Sequence, residues 1–217
     1  MEKTKRLILF GDSAFAEIAY EYFTYDSEYQ VETFCLEQAY IKSDTMCGLP
    51  MVPFETVETQ YNPADFHFYI ATAYTQMNEL RKRLYLEAKA KGYGPASYVS
   101  SRAFVWRNCQ IGEHCFIFED NTVQPFVTIG DNVIMWSGNH IGHHSTIHSH
   151  CFLSSHVVVS GFVNMGEACF MGVNATIANN VNIGNNCLTG AGALILADVP
   201  DDQKVVGIWK SRIPDLS

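Results

Sequence analysis

Apolar residues recur along this chain with two different periods, and the change of period divides it. The first half has the periods of ordinary strands and helices. Residues 7–10 (LILF) form a short apolar run stopped at Gly11, which predicts a buried strand. Phe15, Ile18, Ala19, Tyr22 and Phe23 follow at helical spacing and mark one helix face. Residues 31–36 predict a second strand, residues 42–52, with Gly48 and Pro50, a loop, and residues 66–71 a third strand. Met77, Leu80, Leu84 and Ala88 mark a second helix, ended by Gly92 and Gly94. This order suggests a small parallel sheet of Rossmann type over residues 1–97.

From Val99 to Ile195 the period is six: seventeen consecutive sites are aliphatic except Thr189. Gly follows the aliphatic site at 112, 130, 142, 166, 172, 184 and 190, and the fourth position after it is mostly small or β-branched, as at Cys115, Val133, Ser145 and Ala175. A six-residue period suits neither a helix nor a long strand. It suits a left-handed parallel β-helix of hexapeptide repeats over residues 98–217, three flat faces to a coil, with the aliphatic side chain inward and the small one at the inner corner. The frame holds for about five and a half coils without an insertion. Residues 18 apart then stack, which puts His143 between Pro125 and Gly161. Flat prisms of this kind leave exposed rims, so a homotrimer with ligands in the clefts between subunits is expected.

The formal charge of -9 argues against a nucleic-acid partner. The seven Cys form no CxxC pair, and those in the repeats fall on the small fourth position (Cys109, Cys115, Cys151, Cys169, Cys187). They read as core residues of a protein in a reducing compartment, hence cytoplasmic, and not as nucleophiles. The opening MEKTKRLILFGDS does not read as a signal peptide, and no apolar run reaches membrane-spanning length.

Histidine is the candidate chemistry. His140, His143, His144, His148, His150 and His156 crowd two coils, while residues 108–203 contain no Lys or Arg. An imidazole is therefore the available base near neutral pH. The plainer alternative is that outward positions of a coil simply tolerate His. A zinc site of the γ-class carbonic anhydrase kind would need a third His about two coils before His143, where Arg107 stands, and His114 is out of phase, so no metal is expected.

The segments SGNHIGHH (137–144), VSGFVNMGEACFMG (159–172) and VVGIWKSRI (205–213) resemble the bacterial sugar O-/N-acetyltransferases, the family of sialic acid O-acetyltransferase and of the UDP-4-amino-sugar N-acetyltransferase of bacillosamine synthesis. The resemblance spans essentially the whole chain. It implies acetyl-CoA as acyl donor, a nucleotide-linked amino sugar as acceptor (4-amino-4,6-dideoxy type) and a place in lipopolysaccharide O-antigen or other surface glycan synthesis. It implies His143 as general base, with His144 where the family has an acidic residue. It places Gly161, Val173 and Ala191 near the thioester, and Trp209, Lys210 and Arg212 at the coenzyme end. Trp209 either stacks on adenine or caps the β-helix. Trp136 stands at the family's acceptor-side Asn. For the nucleotide sugar it implies the loop Gly11, Asp12, Ser13, Ala14 and Phe15, with Ala14 and Phe15 in place of the family's Gly and His, then Glu37, Thr72, Ala73 and Arg81. Two other functions remain open: O-acetylation of sialic acid or a similar sugar, and a non-catalytic ligand-binding β-helix.

Overall fold

The computed structural model describes residues 2–210, and the chain divides into two compact units. One comprises the chain up to Thr75 together with Leu80–Tyr98; the other comprises Gln76–Glu79 and the chain from Val99 onward.

The first unit is an α/β layer: β1 (Lys5–Phe10), α1 (Ala14–Tyr25), β2 (Tyr29–Leu36), β3 (Thr45–Met46), β4 (Leu49–Pro53), β5 (Phe66–Ile70), α2 (Glu79–Ala90) and β6 (Gly94–Pro95). The sheet runs β3-β4-β2-β1-β5-β6, parallel throughout except at β3–β4. β1 is central and covered on both faces, which is why it reads as an unbroken apolar run. α1 buries Phe15, Ala16, Ala19 and Phe23 and leaves Ile18 and Tyr22 half-exposed. The ring of Phe23 packs against Tyr29, Tyr69 and Tyr98 with centroids 5.3–5.8 Å apart.

Two features differ from the sequence reading. Residues 42–52 are not a plain loop: Cys47 (φ 49°) and Gly48 (φ 77°) make a two-residue turn between β3 and β4. β4 then joins β2 in parallel. Met77 is not on the second helix either, because Gln76, Met77 and Asn78 are left-handed (φ 53°, 52° and 70°) and α2 starts at Glu79. These residues pack with the second unit, where buried Asn78 donates from Nδ2 to the carbonyls of Ala168 (3.2 Å) and Cys169 (3.3 Å).

The second unit is built from two-residue strands stacked in three parallel sheets of seven, seven and five. These stacks fit the left-handed parallel β-helix. As far as Ile195 the paired strands lie 18 residues apart, as Thr122↔His140↔Val158↔Thr176. The aliphatic column points inward from Ile117 to Ile195 and is buried throughout, Thr189 included, while Val99 at the first site is exposed. One face is polar, carrying Gln110, Thr128, Thr146, Asn164 and Asn182 outward. The face through His140 is not: Phe104, Trp106, Val158, Leu196 and Ile208 are exposed there.

From His114 to Gly192 every corner turns through one left-handed residue, three after the aliphatic site. His114, Phe126, Asn132, His144, His150, His156 and Phe162 all sit there, with φ between 56° and 68°. Asn, Asp and His tolerate this conformation better than most side chains. Part of the histidine cluster is thus a backbone requirement. His114, Asn132 and His150 also form a buried ladder: His114 Nδ1 donates to Asn132 Oδ1 (2.9 Å), and Asn132 Nδ2 donates to His150 Nδ1 (2.9 Å).

Beyond Ile195 the coils shorten. Thr189 pairs with Val205 and Ile195 with Trp209, so the spacing drops from 18 to 16 and then 14 residues. Trp209 packs on the last of the core and its indole N–H donates to the Asp198 carbonyl at 3.1 Å.

Candidate functional site

His143 is exposed on the corner that follows strand residues His140–Ile141. Gly142 lets this corner close: a Cβ there would lie 2.5 Å from the Ser160 carbonyl carbon and 2.6 Å from the Gly161 nitrogen. The next coil up presents Gly161, whose missing side chain leaves room for the His143 ring. A Cβ at Gly161 would stand 2.8 Å from Cε1 and 3.1 Å from Nε2 of His143. From below, Gln124 Oε1 accepts the backbone N–H of His143 at 3.0 Å. The stacking expected from the 18-residue coil is therefore observed.

His144 adjoins it, Nδ1 to Nδ1 at 3.2 Å. Its ring is sandwiched between Phe126 (centroids 4.6 Å, interplanar 27°) and Phe162 (4.8 Å, 16°), both about half exposed. Phe126 and Phe162 were not picked out from the sequence. Their signal was the spacing 126, 144, 162, one coil apart on one corner. The N–H of Gly161 is bonded to Asn179 Oδ1 at 2.9 Å. Equivalent bonds recur at other corners, Glu113 N to Asp131 and Glu167 N to Asn185, so this is part of the corner's construction.

The other β-helix candidates lie elsewhere. Val173 and Ala191 are exposed on the corner at the opposite edge of the His140 face, one coil apart, with Gly192 N bonded to the Val173 carbonyl at 2.8 Å. Trp136 belongs to that same corner and stacks on Phe118 (4.6 Å, 11°). Trp209 is half-buried in the end of the prism, which is the capping arrangement, and Lys210 beside it is exposed. Arg212 lies outside the described residues.

In the first unit the candidates gather at the carboxyl ends of β1, β2 and β5, where ligands of open α/β sheets bind. Gly11 (φ 134°) turns the chain out of β1, and a Cβ there would meet the Ala71 carbonyl oxygen at 2.9 Å. Asp12, Ser13 and Ala14 are exposed at the start of α1. Phe15 is not: its side chain is buried against Tyr69 in the core. Thr72 keeps a buried Oγ1 that has no hydrogen-bond partner. Arg81 is 1% exposed and donates from Nη1 to the Ala73 carbonyl at 2.6 Å, so it holds the loop after β5 from inside. Glu37 is held by Arg83 through both oxygens, at 3.1 and 3.2 Å. An open pocket of about 200 Å³ lies nearby, lined by Asp12, Glu17, Leu36, Lys42, Ser43 and Met46 among others. The hairpin that the sequence did not disclose forms one of its walls.

The buried thiols Cys35, Cys169 and Cys187 have pKa values pushed up, Cys35 by burial, Cys169 by the Cys151 thiol and Cys187 by the Cys169 thiol, each of these two then also by burial. They are poor nucleophiles at neutral pH. Among the described residues no three His, Cys, Asp or Glu side chains are grouped to hold a metal, and no helix is long and apolar enough to cross a membrane.

Residues 108–142 match the family model described as bacterial transferase hexapeptide (six repeats), which places the β-helix in the class of hexapeptide-repeat folds. No curated protein matches the chain. The whole fold is similar to solved structures. The acetyltransferase domain of PglB from Neisseria gonorrhoeae superposes with a TM-score of 0.84 at 21% identity, over 94% of this chain and 97% of that one. A His-to-Asn variant of perosamine N-acetyltransferase from Caulobacter crescentus, in complex with CoA and GDP-perosamine, gives 0.82 at 20% identity over 93% of each. WeeI from Acinetobacter baumannii gives 0.74 at 20% identity, over 94% and 97%. At these identities the likeness establishes the two-unit fold.

Proposed function

We propose that the chain is an acetyl-CoA-dependent acyltransferase that N-acetylates a nucleotide-linked amino sugar in surface glycan synthesis in the cytoplasm. The observation that carries this is the exposed His143 ring lying on the bare backbone of Gly161, within a fold whose solved neighbours include an N-acetyltransferase holding CoA and GDP-perosamine. His143 accepts the proton of the attacking amine as the acetyl carbon is approached, and the thiolate of CoA leaves and is protonated. No covalent enzyme intermediate is required. A tetrahedral oxyanion needs a donor, and Gly161 N–H serves once Asn179 releases it, an exchange costing about 1 kcal/mol.

Two corners of one prism carry the candidates: His143 and Gly161 on one, Val173, Ala191 and Trp136 on the other. A single chain holds them at opposite edges of the same face. A site using both sets therefore needs a second chain on that face, and the exposed Phe104, Trp106, Val158 and Ile208 supply an apolar surface for it. This supports a homotrimer with active sites between subunits.

One observation favours O-acetylation of a free sugar instead: the loop after β1 meets any pyrophosphate with exposed Asp12, and its Phe15 is turned into the core. The test is acetyl-CoA turnover, followed by thiol release, against UDP-, dTDP- and GDP-linked 3-amino and 4-amino sugars, with His143→Ala alongside. Turnover of one amino sugar that collapses in the variant is the expected result. Turnover of sialic acid alone moves the assignment to O-acetylation. Acetyl-CoA that neither turns over nor binds leaves the non-catalytic scaffold.

A further inference from the structure

We propose that His143 and His144 form a proton-sharing pair in which His144, held between Phe126 and Phe162, receives the proton that His143 takes from the acceptor; this rests on the acetyl transfer proposed above. The two Nδ1 atoms lie 3.2 Å apart with the rings at 87°. Only one proton fits between two imidazole nitrogens, so one ring donates and the other accepts. With His143 as donor, its Nε2 lone pair is left bare on the side of Gly161, where a base is needed. With His144 as donor, the hydrogen of neutral His143 sits on Nε2 and no base faces that backbone.

The surroundings distinguish the two rings. His144 lies face to face with two phenyl rings, Phe126 and Phe162. His143 meets Phe162 edge-on (5.1 Å, 86°). A cation is stabilised over the negative face of an aromatic ring, so positive charge is better held on His144. The flanking corners, residues 124–126 and 160–162, are Gln-Pro-Phe and Ser-Gly-Phe and carry no titratable side chain. The left-handed backbone of His144 (φ 59°) fixes where its ring emerges.

The step balances without another reactant. As the C–N bond forms, the amine proton passes to His143 Nε2 and the Nδ1 proton of His143 passes to His144 Nδ1. As the C–S bond breaks, the same proton count returns through the pair to the thiolate. His144 acts through His143 and is a positioning and relay residue.

Two substitutions separate relay from orientation. His144→Asn suits the left-handed site, as Asn174, Asn180 and Asn186 show at equivalent positions, and its amide oxygen accepts a hydrogen bond without taking a proton. His144→Asp both accepts the bond and takes the proton. The expected result is kcat within tenfold of the parent for Asp, and about a hundredfold loss at unchanged KM for Asn, the low end of what general-base catalysis contributes. A proton inventory in mixed H2O and D2O should curve for the parent and be linear for His144→Asn. Equal rates for the Asn and Asp variants, or a linear inventory for the parent, overturn the proposal. A second readout needs no activity: 15N-histidine spectra of the intact protein should show hydrogen on Nδ1 of His143 and a bare Nδ1 on His144. The reverse assignment overturns the pair even if the acetyl acceptor has been misidentified, and loss of turnover with the expected assignment sinks only the function.

Discussion

Gly142 and Gly161 are adjacent glycines on neighbouring coils, yet a methyl group at each should do opposite things. At Gly142 the added carbon would be driven into main chain, 2.5 Å from the Ser160 carbonyl carbon and 2.6 Å from the Gly161 nitrogen. Main chain in a stacked ladder cannot yield, so Gly142→Ala should cost the 1–3 kcal/mol of an overpacked site or more. At Gly161 the nearest atoms are Cε1, Nε2 and Nδ1 of His143, at 2.8, 3.1 and 3.3 Å. These belong to an exposed, rotatable ring. Relieving them to ordinary contact needs a shift of about 0.6–1 Å, which the ring makes at under ~1 kcal/mol of stability. Misplacing a reacting group by about 1 Å costs on the order of a hundredfold in rate, or about 2.7 kcal/mol. Thermal unfolding and acetyl-CoA turnover measured on both variants test this. Gly161→Ala should melt near the parent and turn over about a hundredfold slower; Gly142→Ala should melt well below it. A fully active Gly161→Ala, or one that unfolds as early as Gly142→Ala, refutes the packing argument.

Three further outcomes follow from the geometry. With a thiol reagent at neutral pH, exposed Cys47 should react first and half-buried Cys109 slowly, while Cys35, Cys115, Cys151, Cys169 and Cys187 react only on unfolding; rapid labelling of all seven would contradict the burial. Burial lowers the pKa of His67 below its ordinary 6.5, so the neutral form is favoured on folding, and stability present above that pH is lost as pH falls through the folded value. Melting should therefore drop between pH 7.5 and 5.5 more in the parent than in His67→Phe; parallel profiles would remove His67 as the cause. Asn78→Ala gives up two hydrogen bonds to buried carbonyls at a left-handed position and should cost about 1–3 kcal/mol in denaturant unfolding, whereas a neutral effect would mean the Gln76–Glu79 segment is not anchored by it.

The β-helix was legible because one inward residue in six must be aliphatic, and the frame from Val99 to Ile195 states that rule openly. What was hidden obeys other rules. The corner residue at positive φ explains His144, His150 and His156, which by composition alone look like a pool of bases. The β3–β4 hairpin escaped because two short strands around Cys47-Gly48 leave no periodicity to count. Met77 fits a helical spacing but precedes the helix, since three left-handed residues in a row carry no apolar signature. His143 on Gly161 was readable from coil arithmetic, and so were Phe126 and Phe162; the engagement of Gly161 N–H by Asn179 was not, because it depends on a side-chain direction.

A coil of this kind is a template for the next one, and nothing in the repeat itself says where to stop. The shrinking last turns do. By dropping from 18 residues to 16 and then 14, the chain draws its perimeter inward, and Trp209 closes the mouth that remains. Among the described residues an end so narrowed no longer matches the cross-section of the coils before it, and a second molecule's strands meet no full-width ladder there. Cutting the chain before Val199 would leave a full-width, open end with unpaired backbone at Thr189 and Ile195, and the truncated protein should grow end to end into fibres.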